Sequence, residues 1–374
     1  MKYLFILCFT VTGLVSCASR QGADAEVMVD KKTIGLLPTE KEPDLHEVTQ
    51  FKGVQVTGVT VTRTGRMFAN FPRWRENVPY SVVEIMPDGT HKLYPDEAWN
   101  TWTGEPQKNR FTCVQSVYAF KDSLFVLDPS SPELKGVIGK AMLYEFDLAT
   151  NQLKRSWSFS DAVAPEKSYL NDIRIDEKSG QAFITDSGLG GIVVLDLKRG
   201  TSKRVLDKHP STKAENVILT VEKKKFLLPD GKRPQIHSDG IALSPGGEKL
   251  YYHALTGYHL YRVSTDAIVK QKRNETDLVK SVENLGVTPA ADGMIFDKKG
   301  NLYMADLERN AISYRTPGGD MKILIQDERI KWPDSFAIDP ENNLIFTDSL
   351  IQDAAFGEQV DDLTFKIYKV ALPL

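Results

Sequence analysis

The chain has 374 residues, 41% hydrophobic and 26% charged, with 47 Lys and Arg against 50 Asp and Glu. A net charge of −3 with no basic stripe gives no electrostatic footprint for nucleic acid, and the one basic run, Lys223-Lys224-Lys225, is local and follows Glu222. Its three cysteines, Cys8, Cys17 and Cys113, are too few for a disulfide scaffold.

Residues 1–16 read as a leader: Lys2 is followed by an apolar run from Tyr3 to Val15 that is too short to span a bilayer. It ends Leu14-Val15-Ser16-Cys17, the pattern of a lipoprotein signal, so Cys17 is the expected lipidation site. A membrane partner through that anchor, and a place outside the cytoplasm, follow as expectations, with secretion the alternative if Cys17 is not acylated. Residues 17–45 are polar, charged and weakly periodic and read as a tether. Residues 46–374 form the folded domain, in which Cys113 is the one cysteine, expected as a buried structural thiol.

This domain repeats one unit. In His237 to Val263 an Asp-Gly pair opens an alternating apolar run, a Pro/Gly turn follows, and two more short strands close it. The form recurs at Asp292-Gly293, Asp334-Ser335 and Asn171-Asp172, and more weakly at Gln115-Ser116 and Thr57-Gly58. Six all-β copies at intervals of 42 to 68 residues predict a six-bladed β-propeller.

Several stretches carry a family resemblance: GRMFANFPRW, YPDEAWNTW, VQSVYAFKDSLFVLDPSSP, LNDIRID with ITDSGLGGIVVLDL, SDGIALSPGGEKLYYHALTGYHLYRV, ADGMIFDKKGNLYMADLERNAI and WPDSFAIDPENNLIFTDS. Together they cover about residues 50 to 350, and the chain resembles the major royal jelly protein/Yellow family, particularly its bacterial, dopachrome-tautomerase-related branch. The resemblance implies a six-bladed propeller closed by a strand from each terminus, here Phe365–Val370 and the segment around Phe51–Val56. It also implies a small-molecule ligand in the central channel, an aromatic amine or quinone, and isomerisation of an aminochrome such as dopachrome if the chain is an enzyme. Insect members use disulfides and this chain has no pair to form one, so their physiology does not transfer.

The first strand of each propeller blade lines the channel, which brings Thr57, Gln115, Asn171, Asp239, Asp292 and Asp334 to one mouth, with Asp172 beside Asn171. Thr57 reads as structural. Gln115, Asn171, Asp172, Asp239, Asp292 and Asp334 are the expected ligand-binding set. Three converging carboxylates repel one another, and a cation relieves that. The hard oxygens of Asn171, Asp239, Asp292 and Asp334 suit Ca²⁺, as in gluconolactonase-like propellers; an organic ammonium held partly by aromatic rings is the other candidate. Repeated Asp-Gly is equally a turn device. For proton transfer, Asp239 is the expected base and His237, two residues earlier on an extended segment, the expected donor. The function classes left open are a Yellow-type isomerase, a Ca²⁺-dependent lactonase-like hydrolase and a non-catalytic binding module. His253 and His259 fall on different strands, and Gly188-Leu189-Gly190-Gly191 lacks the following helix that a dinucleotide site needs.

Overall fold

The computed structural model describes residues 35–38, 43–270, 275–354 and 360–373; the leader, Cys17 and most of the tether lie outside the described residues. Six antiparallel sheets follow one another along the chain, five of four strands and one whose four strands carry a short added fifth. Their first strands are Gly58–Val61, Ser116–Phe120, Leu170–Asp176, Ser238–Leu243, Met294–Phe296 and Pro333–Ile338, each beginning within two residues of its repeat position. Each first strand touches the next, and the sixth touches the first, so the ring is closed and the protein is a six-bladed β-propeller.

Alternating side chains on each pleated sheet pack against the neighbouring blade. Between blades one and two lie Phe68, Tyr94, Trp99 and Phe146, and between blades three and four lie Phe183, Val194, Leu250 and Tyr252. Each such aromatic or aliphatic side chain contributes about 1.5–3 kcal/mol when taken fully out of water. Cys113 sits in this packing, and burial pushes its thiol up to about 12.

Closure uses both ends of the chain. Blade six runs Pro333–Ile338, Asn343–Asp348, Thr364–Ala371 and, outermost, His46–Lys52, with Phe51 opposite Phe365. The N-terminal closing strand therefore precedes the expected Phe51–Val56. Gly53, at φ 70°, turns the chain out of the sheet and donates to Leu363 O at 2.9 Å, and residues 54–57 lead into blade one. Part of the predicted tether is also used: Leu37–Pro38 adds a parallel bridge to Lys322 and Ile323 on the outer edge of blade five. An outer strand offers unpaired N–H and C=O groups, and a passing extended segment satisfies them.

Candidate functional site

The ring positions are held by a second set of acids, at the ends of the second strands. Asp128 accepts from the backbone of Thr112 and Cys113, Asp186 from Tyr169, and Asp348 from Lys331 and Trp332, all at 2.6–3.0 Å. In each case the staple fixes the residue two before the ring position, so Gln115, Asn171 and Asp334 are aimed by their predecessors. These staples carry the turn chemistry; the ring acids do not. The glycine after Asp239 and after Asp292 has a different reason. A Cβ on Gly240 would stand 2.3 Å from Asp292 O, and one on Gly293 would stand 2.3 Å from Asp334 O. Each glycine thus lets the next inner strand close in, which brings three carboxylates together.

Asn171 donates through Nδ2 to Asp239 Oδ1. Asp239 and Asp292 are both buried, and the nearby Asp292 carboxyl raises Asp239 further. Trp332 donates from its indole nitrogen to Asp292 Oδ2 at 2.7 Å. Asp334 Oδ2 and Ser349 Oγ are both enclosed and neither makes a hydrogen bond, though the nearby Ser349 hydroxyl holds Asp334 down in part. Burial, reinforced by the neighbouring carboxylates, drives Asp239 and Asp334 well above the usual carboxylate range. Burial also lifts Asp292, which Trp332 and Asp239 hold back to about 7.

These acids form the floor of a cavity of about 600 Å³ at one mouth of the channel. Its wall is largely apolar, with Trp74, Tyr169, Phe226, Ile236 and Leu255, and Gln115 and Asn171 are also on its surface. Trp74 donates to Tyr169 Oη at 2.5 Å, and Tyr169 donates to Gln115 Oε1 at 2.8 Å, so the rim is braced across blades. Phe226 packs on Trp332 with ring centroids 5.0 Å apart.

Two expected site residues lie elsewhere. Asp172 faces the opposite chamber, of about 540 Å³, where it accepts from Ser116 Oγ at 2.6 Å and pairs with Arg174 at 3.0 Å. Neighbours on an extended strand point to opposite sides, and the pairing of this inner strand also shifts between Leu170 and Ile173, so Asp172 does not follow Asn171 into the cup. Arg174 then reaches across the channel to Met294 O at 3.0 Å and closes the cup from below. His237 is not on the cup wall. Its Nδ1 accepts from the Ala214 backbone at 2.9 Å, its Nε2 lies 2.8 Å from Lys213 Nζ, and burial with that lysine pulls it down to about 4. A register shift between Ser238 and Ile241 breaks the alternation that would have put His237 on the side of Asp239. Thr57 is structural: Asn70 donates to its hydroxyl at 3.1 Å and to Gln115 O at 3.0 Å. His253 and His259 are apart from the cup, bonded to Ala254 O and to Glu215.

The donor types on the floor are those of a Ca²⁺ site, yet their arrangement does not fit one. Asn171 presents an N–H to Asp239, Trp332 presents an N–H to Asp292, and among the described residues no three His, Cys, Asp or Glu are grouped to hold a metal.

The fold is thus a closed ring of six blades with an acid-floored, aromatic-walled cup at one mouth. Solved propellers share the fold at low identity. The luciferin-regenerating enzyme matches with a TM-score of 0.54 at 13% identity, covering 88% of this chain and 95% of that one. The Xanthomonas campestris gluconolactonase XC5397 matches with a TM-score of 0.51 at 12% identity, covering 90% and 97%. The chain belongs to the major royal jelly protein family, whose profile matches residues 121–370. Major royal jelly protein 7 of Apis mellifera is 25% identical over 252 residues, which is 63% of this chain and 54% of that protein. Major royal jelly protein 6 of the same species is 23% identical over 233 residues, 59% of this chain and 50% of that protein. The chain thus spans about half the length of these relatives.

Proposed function

We propose that the cup binds a small aromatic amine, its ammonium group seated among Asp239, Asp292 and Asp334 and its ring between Trp74, Tyr169 and Phe226. The observation that carries this is the enclosed, unpartnered Asp334 Oδ2 beside two further buried carboxylates. A bound cation supplies the missing partner and relieves the repulsion, and aromatic walls add cation–π attraction of about 0.5–2 kcal/mol. The N-terminal signal supports export, with Cys17 acylated at a membrane surface. A Cys17→Ser variant appearing in the soluble fraction while the parent sediments with membranes is the expected check; equal distribution overturns the anchor.

A second reading is supported by the Asp239–Asp292 contact. A protonated carboxyl beside one that titrates near neutrality is the acid–base pair that moving a proton on an aminochrome ring requires, with Asp292 as base and Asp239 as acid. This reverses the expected role of Asp239 and drops His237. Lactonase-like hydrolysis through Ca²⁺ has less support, because the floor oxygens are committed to N–H donors.

Thermal unfolding of chelated protein with dopamine, serotonin or Ca²⁺ tests the proposal. A ligand at about 100 times its dissociation constant adds about 2.7 kcal/mol to the folded state. Stabilisation by the amines is expected. Stabilisation by Ca²⁺ alone, or by none of the three, overturns the amine reading. Turnover of dopachrome that is lost in Asp292→Asn separates isomerase from binding module.

A further inference from the structure

Among the described residues two large hydrophobic side chains are well exposed, Leu134 at 60% and Leu228 at 41%, and both lie on the wall of the same cup. Single exposed leucines mean little, but two converging on one cavity are a feature of that cavity. Neither is on a loose loop. Leu134 belongs to the segment after the Asp128 staple, where Ser130, Glu133 and Leu134 have φ of 55°, 55° and 56°. A leucine in the left-handed region is strained, at a cost of about 1–3 kcal/mol, and persists only when its surroundings enforce it. They do: Glu133 N donates to Arg73 O at 2.7 Å, Val137 N to Glu166 O at 2.8 Å, and Ile138 N and Ser130 Oγ tie the loop ends together at 2.8 and 2.7 Å. The strain is spent on holding an apolar side chain in water at the mouth of the cup. Leu228 is held in place by a turn of its own. It opens the tight turn Leu228-Pro229-Asp230-Gly231, with Gly231 N donating to Leu228 O and Leu228 N to Lys232 O, both at 2.8 Å. That turn follows Phe226, which packs on the indole bonded to Asp292.

The cup is therefore graded from floor to mouth: carboxylates, then aromatic rings, then two aliphatic tips fixed in solvent. We propose that Leu134 and Leu228 form an apolar lip that holds the tail of an amphiphilic amine whose charged head rests on the acid floor. This rests on the amine reading above and narrows its ligand class. A ligand no longer than a simple phenethylamine would leave the lip wet; a tail continuing to the mouth would cover it and recover the stabilisation forgone by exposing two leucines.

The test is a series of n-alkylamines from butylamine to dodecylamine, and the matching n-alkanols, titrated by calorimetry into the parent and into Leu134→Ser/Leu228→Ser. Each methylene that leaves water adds about fourfold in affinity. In the parent the affinity is expected to keep rising along the series to the longer chains, and in the double variant to stop rising before them. Identical chain-length slopes in parent and variant overturn the lip. If the amines bind no better than the alkanols, the acid-floor reading fails, while the difference in slope between parent and variant within the alkanol series still decides the lip. Sedimentation with phosphatidylcholine vesicles that the double variant abolishes, with no difference in slope between the two proteins, would assign the leucines to a bilayer and overturn the proposal.

Discussion

Asp334→Asn is expected to make the empty protein more stable and to cost it its ligand. Asparagine keeps the shape of the side chain and removes one of three crowded carboxyl groups from the floor. At pH 8 the gain should be read as a higher midpoint in urea at unchanged slope, since a carboxyl whose pKa is forced up by folding destabilises the folded state once it ionises. Dopamine binding should weaken at least tenfold by calorimetry, because the enclosed Oδ2 is the acceptor the ammonium needs. A variant less stable than the parent at pH 8 would show that the floor is scaffold. Opposite movement of stability and affinity is what a site held in readiness for a missing cation produces.

The same acids set the pH dependence. Folding raises Asp239, Asp292 and Asp334 above their unfolded values, so the folded state binds more protons than the unfolded one between about pH 4 and 7. Stability therefore falls as pH rises through that window; Asp292 alone, at about 7, accounts for on the order of 4 kcal/mol once fully ionised. Amine binding runs the other way, weakening as pH falls below about 7, because the ammonium must displace protons from the floor. In Asp334→Asn both slopes should be shallower.

The fold was legible because a propeller writes itself repeatedly. Asp239-Gly240, Asp292-Gly293 and Asp334-Ser335 each open an alternating strand, and six such openings leave little choice of architecture. The same regularity brought Gln115, Asn171, Asp239, Asp292 and Asp334 to one mouth. Period-two reasoning failed at His237, where the pairing slips and the imidazole turns toward Lys213, whereas Asp172 was placed only by its adjacency to Asn171 and lies in the lower chamber. It also missed what comes from outside the inner strands. Trp332 and Tyr169 enter the site two residues ahead of a ring position, Phe226 and Leu228 arrive on the connection between blades three and four, and Leu134 on a loop within blade two, none of which a repeat predicts. One signal was available: FVLD, FITD and IFTD each end a second strand in aspartate, and that aspartate is the staple that aims the ring residue at the start of the same blade.

Arg174→Met should be among the most destabilising single changes in the molecule. The guanidinium is buried, pairs with Asp172 and donates to Ile173 O at 2.7 Å and Met294 O at 3.0 Å, so it is at once counter-ion, plug and link between blades three and five. Methionine keeps the apolar stem but removes the guanidinium from over the Tyr118 ring and leaves Asp172 a half-buried anion without its counter-ion beneath an already crowded acid floor. Breaking such a pair from one side costs about 3–5 kcal/mol. The double variant Arg174→Met/Asp172→Asn removes that stranded charge, and urea unfolding should show recovery of roughly 2–3 kcal/mol. The remaining deficit, about 1–2 kcal/mol, belongs to the two carbonyls left without a donor. Full recovery would mean that Arg174 acts only as a counter-ion; no recovery would mean that its bonds across the channel, and not its charge, keep the ring closed under the cup.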